Sequence, residues 1–464
     1  MSSFACSSFN RAITRRHALK VGGLGLLGLN FAHILNAESY GTTEKLAARA
    51  KSVIFLFQWG GPSHIDMFDM KPDAPEGIRG PHQPIASKAD GIQVSEHLPK
   101  TAQIMDKVTL IRSMHHTMKN HNSAGYYALT GHAPPSDDQR LRDSLDLFPG
   151  YASIVDKLAP LAGDLPTAVS YPYVISDGSV TPGQQASFLG KDHDPLTVLQ
   201  DPNSPTFTLP ELSLPEGIPF ERMQARRELQ QLIDRQAHLL DFSAQARGFD
   251  GYYDRAIRML QSPKLRDAFN LSEEPEKVRE AYGRSTYGQS CLLARRLVEA
   301  GTKFVTVYFA PGIGGQSTTE GGWDTHGFNN TRMFPIIEKY HLPMTEQTLP
   351  TLLIDLEQRG LLETTLVVWM GEFGRTPNIN KNVSRDHWPN CYTTLLAGGG
   401  VKRGFVYGAS DKTGSYPAEN PVRPDDLAAT IYAALGIDPH TELRSAAGRP
   451  VLAADGKPVA GIFA

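Results

Sequence analysis

Thr365-Leu-Val-Val-Trp-Met370 is a continuous apolar run that breaks directly into Gly371-Glu-Phe-Gly-Arg-Thr-Pro377, and a short loop later comes Arg385-Asp-His-Trp-Pro389. Six apolar or β-branched residues with no polar alternation read as a strand covered on both faces, as in the parallel sheet of an α/β protein. In such sheets ligands sit beyond the carboxyl ends of the strands. A buried strand that discharges into Gly-Glu-Phe-Gly-Arg therefore points at a site. Upstream, Gly322-Trp-Asp-Thr-His326 precedes an amphipathic helix whose Leu349, Leu352, Leu353 and Leu356 form a core stripe at helical spacing. Asp324, His326, Glu372, Asp386 and His387 thus arrive on three separate loops, and all five are metal-compatible side chains.

Working outward, the same logic recurs. Ser52-Val-Ile-Phe-Leu-Phe57 is another continuous apolar run, and it breaks into Gln58-Trp-Gly-Gly-Pro-Ser-His-Ile-Asp66. Val108–Arg112, Lys303–Phe309 and Tyr392–Leu396 read as further strands, the last turning at Gly398-Gly-Gly400. A helix is expected from about Pro275 to Ala300, ending at Gly301, and another from Pro424 with Leu427, Ile431 and Leu435 inward. Residues 71–99, rich in Pro and Gly, read as surface loop. Residues 150–300 read as a variable cap or insertion, including a polar helix with Leu229, Leu232, Ile233 and Leu240 on one face. Strands alternating with helices predict an α/β fold with a predominantly parallel central sheet flanked by helices, in one domain over residues 48–464.

Composition narrows the function classes. The chain has 464 residues, 40% hydrophobic and 20% charged, and a formal net charge of −3. Residues 1–37 hold only basic charges, so the remainder carries about −7. An acidic chain without a basic run excludes a nucleic-acid partner. Thr14-Arg-Arg-His-Ala-Leu-Lys20 before a Gly-rich apolar run to Leu35 resembles a twin-arginine signal, expected over residues 1–37. That run is too short to span ~30 Å of hydrocarbon, and nothing else is long and apolar enough. The expected location is periplasmic or secreted. Outside the leader, Cys291 and Cys391 either pair or remain two buried thiols.

Eight histidines (His64, His115, His116, His121, His132, His193, His326 and His387) fall in or near the Gly-rich loops. One histidine is usually a satisfied polar residue. Several beside Asp and Glu at strand ends suit Zn, Mn or Fe, against the alternative of a structural polar network. His121-Asn-Ser-Ala-Gly125 reads equally as a helix cap by Asn122 or Ser123, or as a hydroxyl held at a helix N-terminus where anions are favoured. Arg375 reads as an oxyanion clamp or as a structural ion pair.

The motifs Gly61-Pro-Ser-His-Ile-Asp66, His121-Asn-Ser-Ala-Gly125, Trp323-Asp-Thr-His326, Gly371-Glu-Phe-Gly-Arg-Thr-Pro377 and Asp386-His-Trp388 occur in one order. From about Lys51 to the C-terminus they resemble the domain-of-unknown-function family 1501, exported proteins grouped with the alkaline phosphatase and sulfatase superfamily. The resemblance implies an exported metal-dependent hydrolase of phosphate or sulfate esters, acting on a small anionic ester or a sulfated or phosphorylated glycan. Ser123 would be the nucleophile and Asp324, His326 and His387 the ligands of a first metal. Glu372, Arg375, His64, Asp66 and Asp386 would supply acid/base groups, an anion clamp or second-metal ligands. One or two divalent ions are implied, zinc or alternatively manganese, iron or calcium. Glu372-Phe373-Gly374 stands where the superfamily has Asp-His-Gly, so Phe373 cannot ligate and the second metal site is eroded. The alternative is a non-catalytic protein that binds an anion or glycan on the same scaffold.

Overall fold

Burial explains why the two central strands carry no alternation: every residue of β1 (Ser52–Phe57) is buried, and the strand feeds two cores. Ile54 and Leu56 enter one apolar cluster, while Val53, Phe55 and Phe57 enter the other on the opposite face. The computed structural model describes residues 47–207, 262–314, 321–327 and 332–464. The expected signal peptide and the polar helix around Leu229–Leu240 lie outside the described residues. The described residues belong to one compact unit, Ala47–Ala464.

In chain order the other strands of the main sheet are β2 (Val108–Met114), β3 (Ala168–Tyr171), β4 (Leu196–Thr197), β5 (Phe304–Tyr308), β6 (Thr365–Met370), β7 (Tyr392–Ala397) and β8 (Phe405–Tyr407). Their order across the eight-stranded sheet is β8-β2-β7-β6-β1-β5-β3-β4. Both antiparallel pairings belong to β7; the rest are parallel. The sheet is therefore mixed and mostly parallel, as the apolar runs imply.

Helices cover both faces. On one side lie α3 (Thr286–Ala300) and α4 (Leu342–Gln358), whose Leu349, Leu352, Leu353 and Leu356 are fully buried. On the other lie α2 (Tyr151–Leu158) and α5 (Pro424–Ala434), packed by Ile154, Leu427 and Ile431. α1 (His121–Thr130) follows β2 and is buried throughout. Two expectations are corrected here. The helix foreseen from Pro275 to Ala300 is two helices, Glu276–Tyr282 and α3, because Gly283 takes a positive φ and Ser285 caps the second by accepting from the Gly288 N–H. The stretch from about 150 to 300 supplies β3, β4, α2 and α3 to the sheet and its cores, so in its described part it is built into the scaffold rather than laid over it. Cys291 and Cys391 are free buried thiols.

Strand β1 and strand β6 are in flush register, from Ser52 opposite Thr365 to Phe57 opposite Met370, and Phe57 also lies opposite Tyr308 of β5. Three loops consequently leave the sheet at one level. Reversed β7 begins at that same edge, so the segment before it, Asp386 to Pro389, is delivered there too.

The turn that ends β7 tests this frame. Gly398 has φ +70°, and a Cβ there would lie 2.2 Å from the Leu362 carbonyl oxygen and 2.3 Å from that of Thr365. Gly398→Ala is expected to destabilise the protein by more than about 1 kcal/mol. The measurement is a denaturant midpoint, and an unchanged midpoint would show that the turn shifts freely.

Candidate metal centre

Backbone staples bring the loops together before any side chain is considered. The Gln58 N–H donates to the Met370 carbonyl at 2.8 Å, and the Trp323 N–H donates to the Trp59 carbonyl at 2.8 Å. The Asp324 N–H donates to the Ile313 carbonyl at 2.9 Å. Gly60 sits in the middle with φ +106°, where a Cβ would lie 2.4 Å from the Trp323 nitrogen and 2.5 Å from that of Asp324. Only glycine permits this approach. Its N–H donates to both carboxylate oxygens of Glu372, at 3.0 and 3.2 Å.

Around this junction His121, Asp324, His326 and His387 converge, with one ligand atom from each lying within 4.8 Å of the others. Oδ1 of Asp324 is the common point. The Nε2 atoms of His326, His387 and His121 lie 2.8, 3.0 and 3.4 Å from it. Each imidazole is held from behind through Nδ1: His121 by Glu372 Oε1 at 2.7 Å, His326 by Asp386 Oδ1 at 3.3 Å, His387 by the Lys119 carbonyl at 2.8 Å. Ring orientation by an outer acceptor, with the other nitrogen aimed inward, is the arrangement metal-binding histidines adopt.

The donor set fits a divalent ion. All three rings face acceptors at both nitrogens, an arrangement that suits positive charge placed among the Nε2 atoms. Three imidazoliums beside Arg375, whose Nη2 is 2.8 Å from Asp324 Oδ1, would repel one another. Burial in fact lowers His387 to about 4 despite its hydrogen bond to Asp324, so its Nε2 offers a lone pair at neutral pH. His121 goes the other way. Burial opposes its charge, but Asp324 and Glu372 overcome it and raise the ring to about 9. Its Nε2 is buried without a hydrogen-bond partner. Burial would raise Asp324, yet Arg375 and the histidines hold it well below the usual carboxylate range. Burial keeps Glu372 above that range against the pull of His121. Ligand spacings of 2.8–3.4 Å resemble the roughly 3.3 Å edge of a tetrahedron with bonds of about 2 Å.

The remaining candidates are placed differently. Asp386 stands one step back, behind His326. Glu372 is fully buried and reaches His121, while His116 Nε2–H donates to its backbone carbonyl at 2.6 Å. Asp66 is not among the converging groups: its carboxylate is bidentate to Arg385 at 2.7 and 3.0 Å and accepts from Ser63 Oγ at 2.5 Å, all buried. His64 donates through Nε2 to the Gly414 carbonyl at 2.9 Å. Burial lowers its pKa. Arg375 is fully buried and donates to the carbonyls of Gly60, Gly61 and Trp323 as well as to Asp324, which leaves no fork facing outward. Ser123 lies within the first turn of α1, whose N-cap is Asn120, so neither Asn122 nor Ser123 is the cap. Its hydroxyl donates toward the Asp138 and Ser136 carbonyls, at 2.9 and 3.2 Å, and accepts from the Asp138 N–H at 2.7 Å.

His121 was not foreseen as a ligand. The signal available was its position as the first helical residue after a strand ending at the site edge, but the motif around it reads first as a cap. The Lys119 carbonyl, a backbone acceptor, has no sequence signature.

The class is that of an eight-stranded, mostly parallel sheet flanked by helices, with three histidines and one aspartate clustered at its carboxyl edge. A family model described as "Protein of unknown function (DUF1501)" matches residues 50–463, and the chain belongs to that family. No curated protein matches the sequence. Among solved structures it is similar to the PsFucS1 sulfatase from Pseudoalteromonas sp., at 13% identity and TM-score 0.38, covering 96% of this chain and 78% of that one. It is also similar to the phosphonate monoester hydrolase SpPMH from Silicibacter pomeroyi, at 12% identity and TM-score 0.38, covering 88% and 75%. Alkaline phosphatase from the Antarctic bacterium TAB5 aligns at 13% identity and TM-score 0.30, covering 76% and 92%.

Proton and metal compete for His121, which gives a test with a definite sign. A ring raised from 6.5 to about 9 binds more protons folded than unfolded. Its contribution to the metal-free fold is complete below pH 6.5 and is lost as pH rises to about 9. Metal must displace that proton, so apparent zinc affinity should rise roughly tenfold per pH unit toward pH 9. Calorimetry at pH 7.5 in buffers of different ionisation enthalpy should show about one proton released per metal bound. No release would remove His121 from the ligand set.

Proposed function

We propose that this protein is an exported, metal-dependent hydrolase of phosphate or sulfate esters, with a sulfated or phosphorylated glycan as the substrate class. The observation that carries the reading is the convergence of three oriented Nε2 atoms on Asp324 Oδ1 at the carboxyl edge of the sheet. His121, His326, His387 and Asp324 would hold one ion. Three imidazoles and one carboxylate suit zinc, or manganese and iron, and disfavour calcium, which seeks oxygen ligands. When bound, such an ion supplies Lewis acidity to an ester oxygen.

The chain's own residues do the rest. Glu372 and the Lys119 carbonyl fix the tautomers of His121 and His387. Arg375 holds Asp324 and the Gly60–Gly61 turn in place, acting as a positioning residue. Asp386, with its side chain about 54% exposed and bonded to His326, is placed to relay a proton between solvent and the cluster. In place of the nucleophile read from sequence, we assign Ser123 to pinning the 136–138 loop against α1, because its hydroxyl hydrogen and one of its lone pairs are engaged there. With Asp66 locked to Arg385, the reading needs one ion. Export rests on the N-terminal motif; among the described residues no helix is long and apolar enough to cross a membrane.

A second reading is favoured by one observation. With Ser123 engaged with the 136–138 loop and Arg375 turned inward, neither the nucleophile nor the anion clamp read from sequence serves that role, as expected of a protein that binds an anion without cleaving it. Turnover of aryl phosphate and aryl sulfate by the zinc-loaded protein separates the two. The hydrolase reading expects activity that falls at least about 100-fold in His387→Ala and stays within about threefold in Ser123→Ala. Metal-dependent anion binding without turnover, under zinc, manganese and iron alike, would establish the binding protein instead.

A further inference from the structure

A second cluster of ligating atoms, unrelated to the first, lies at the base of a small hairpin. Pro84–Ala86 and Gln93–Ser95 pair antiparallel, with Pro84 opposite Ser95. The ladder extends outward, since the Glu96 N–H donates to the Gln83 carbonyl at 2.8 Å. One further step in that register sets His82 opposite His97 on one face, where directly opposed side chains meet. Their rings are 4.6 Å apart. Glu338 comes from a third element, the π-helical turn Ile337–His341 that leads into α4. Such turns are local irregularities frequent at functional sites.

The arrangement of acceptors around His82 fits a cation. His82 is buried and faces an acceptor at each nitrogen: Nδ1 lies 3.3 Å from the Asp66 carbonyl oxygen, and Nε2 lies 3.1 Å from Glu338 Oε1. A neutral ring that donates from Nδ1 would turn its Nε2 lone pair toward a carboxylate. A metal ion shared by Nε2 and Glu338 removes that conflict, and His97 stands at the same point as a third ligand. One ligand atom from each residue lies within 4.8 Å of the others. Two imidazoles and one carboxylate, with His97 and Glu338 half-buried, match the donor chemistry of zinc.

We propose that His82, His97 and Glu338 form a second divalent-metal site, zinc by its donor set, that ties the 82–97 hairpin to the helical segment at 337–341. The site is separate from the centre at Asp324 and does not depend on the hydrolase reading. It also lies one residue-contact from the buried Asp66–Arg385 pair, through the Asp66 carbonyl, so an ion here braces the loop that precedes Asp386.

The test strips the full chain with a chelator, reloads it with Zn²⁺ alone, and counts bound zinc by elemental analysis after gel filtration. The wild type is expected to hold about two equivalents, and His97→Ala, Glu338→Gln and His387→Ala about one each. His97 is half-buried at the edge of a hairpin, so its substitution should leave the circular dichroism unchanged. Glu338→Gln keeps the shape and a hydrogen bond to His82 but not the charge. A single zinc that is lost in His97→Ala and kept in His387→Ala supports this site and sinks the other centre. Zinc content unchanged in both His97→Ala and Glu338→Gln overturns the proposal and leaves an ordinary His82–Glu338 hydrogen bond.

Discussion

Oδ1 of Asp324 collects three imidazole nitrogens and a guanidinium within 3.4 Å, and the surrounding structure is arranged to hold it there. A carboxylate so placed tolerates burial only because positive or donor groups surround it; left alone it would take up a proton. Its position is set by backbone, through Trp323 bonded to Trp59 and Asp324 bonded to Ile313, across a glycine that admits no side chain. Arg375 then ties the same carboxylate to the carbonyls of Gly60 and Gly61. Removing one partner from such a buried set leaves uncompensated charge, which costs more than the contact contributed.

Topology explains how four distant stretches reach this atom. Flush register of β1 with β5 and β6 lets their following loops emerge level. The reversal of β7 is the less obvious device. A strand running with the others would present the residues after it to this edge, whereas β7 presents the residues before it, and those contain Asp386 and His387. A two-residue antiparallel ladder, Gly374 with Trp388 and Arg375 with His387, then sets the histidine beside the arginine. Phe373 packs against the rings of His121 and His387, at 4.9 and 4.5 Å. The residue that cannot ligate thus shapes the wall against which two proposed ligands rest.

Much of this was legible in the chain. Continuous apolar runs such as Thr365–Met370 announce strands buried on both faces, and the motifs at their ends announce an edge crowded with Asp and His. Asp324, His326 and His387 were readable as candidates because several histidines beside Asp and Glu in loops at strand ends are hard to dismiss as isolated polar residues, and the structure brings these three together. His121 was obscured because its neighbours Asn122 and Ser123 suit helix capping, and a strong local reading conceals a tertiary one. Asp66 and Arg385 are 319 residues apart, so no local pattern could reveal that the carboxylate is already paired. The break at Gly283 was missed although both of its signals are local, a glycine that ends one helix and Ser285 that caps the next.

The buried arginines bear on how Asp66 and Asp324 differ in their surroundings. A guanidinium remains charged at any pH a protein meets and cannot be exchanged or chelated. Arg385 satisfies both oxygens of Asp66, and it also donates to the carbonyls of Thr376, Pro377 and Ile78, so Asp66 has no need of a second cation. Asp324 differs, because Arg375 occupies only one side of Oδ1 and leaves the approach of the three histidines open. The proton on His121 adds positive charge between Asp324 and Glu372, the two carboxylates that raise the ring to about 9. Asp66 is thus held by fixed charge alone, whereas the partners of Asp324 include titratable imidazoles, and the arginine given to each aspartate sets that difference.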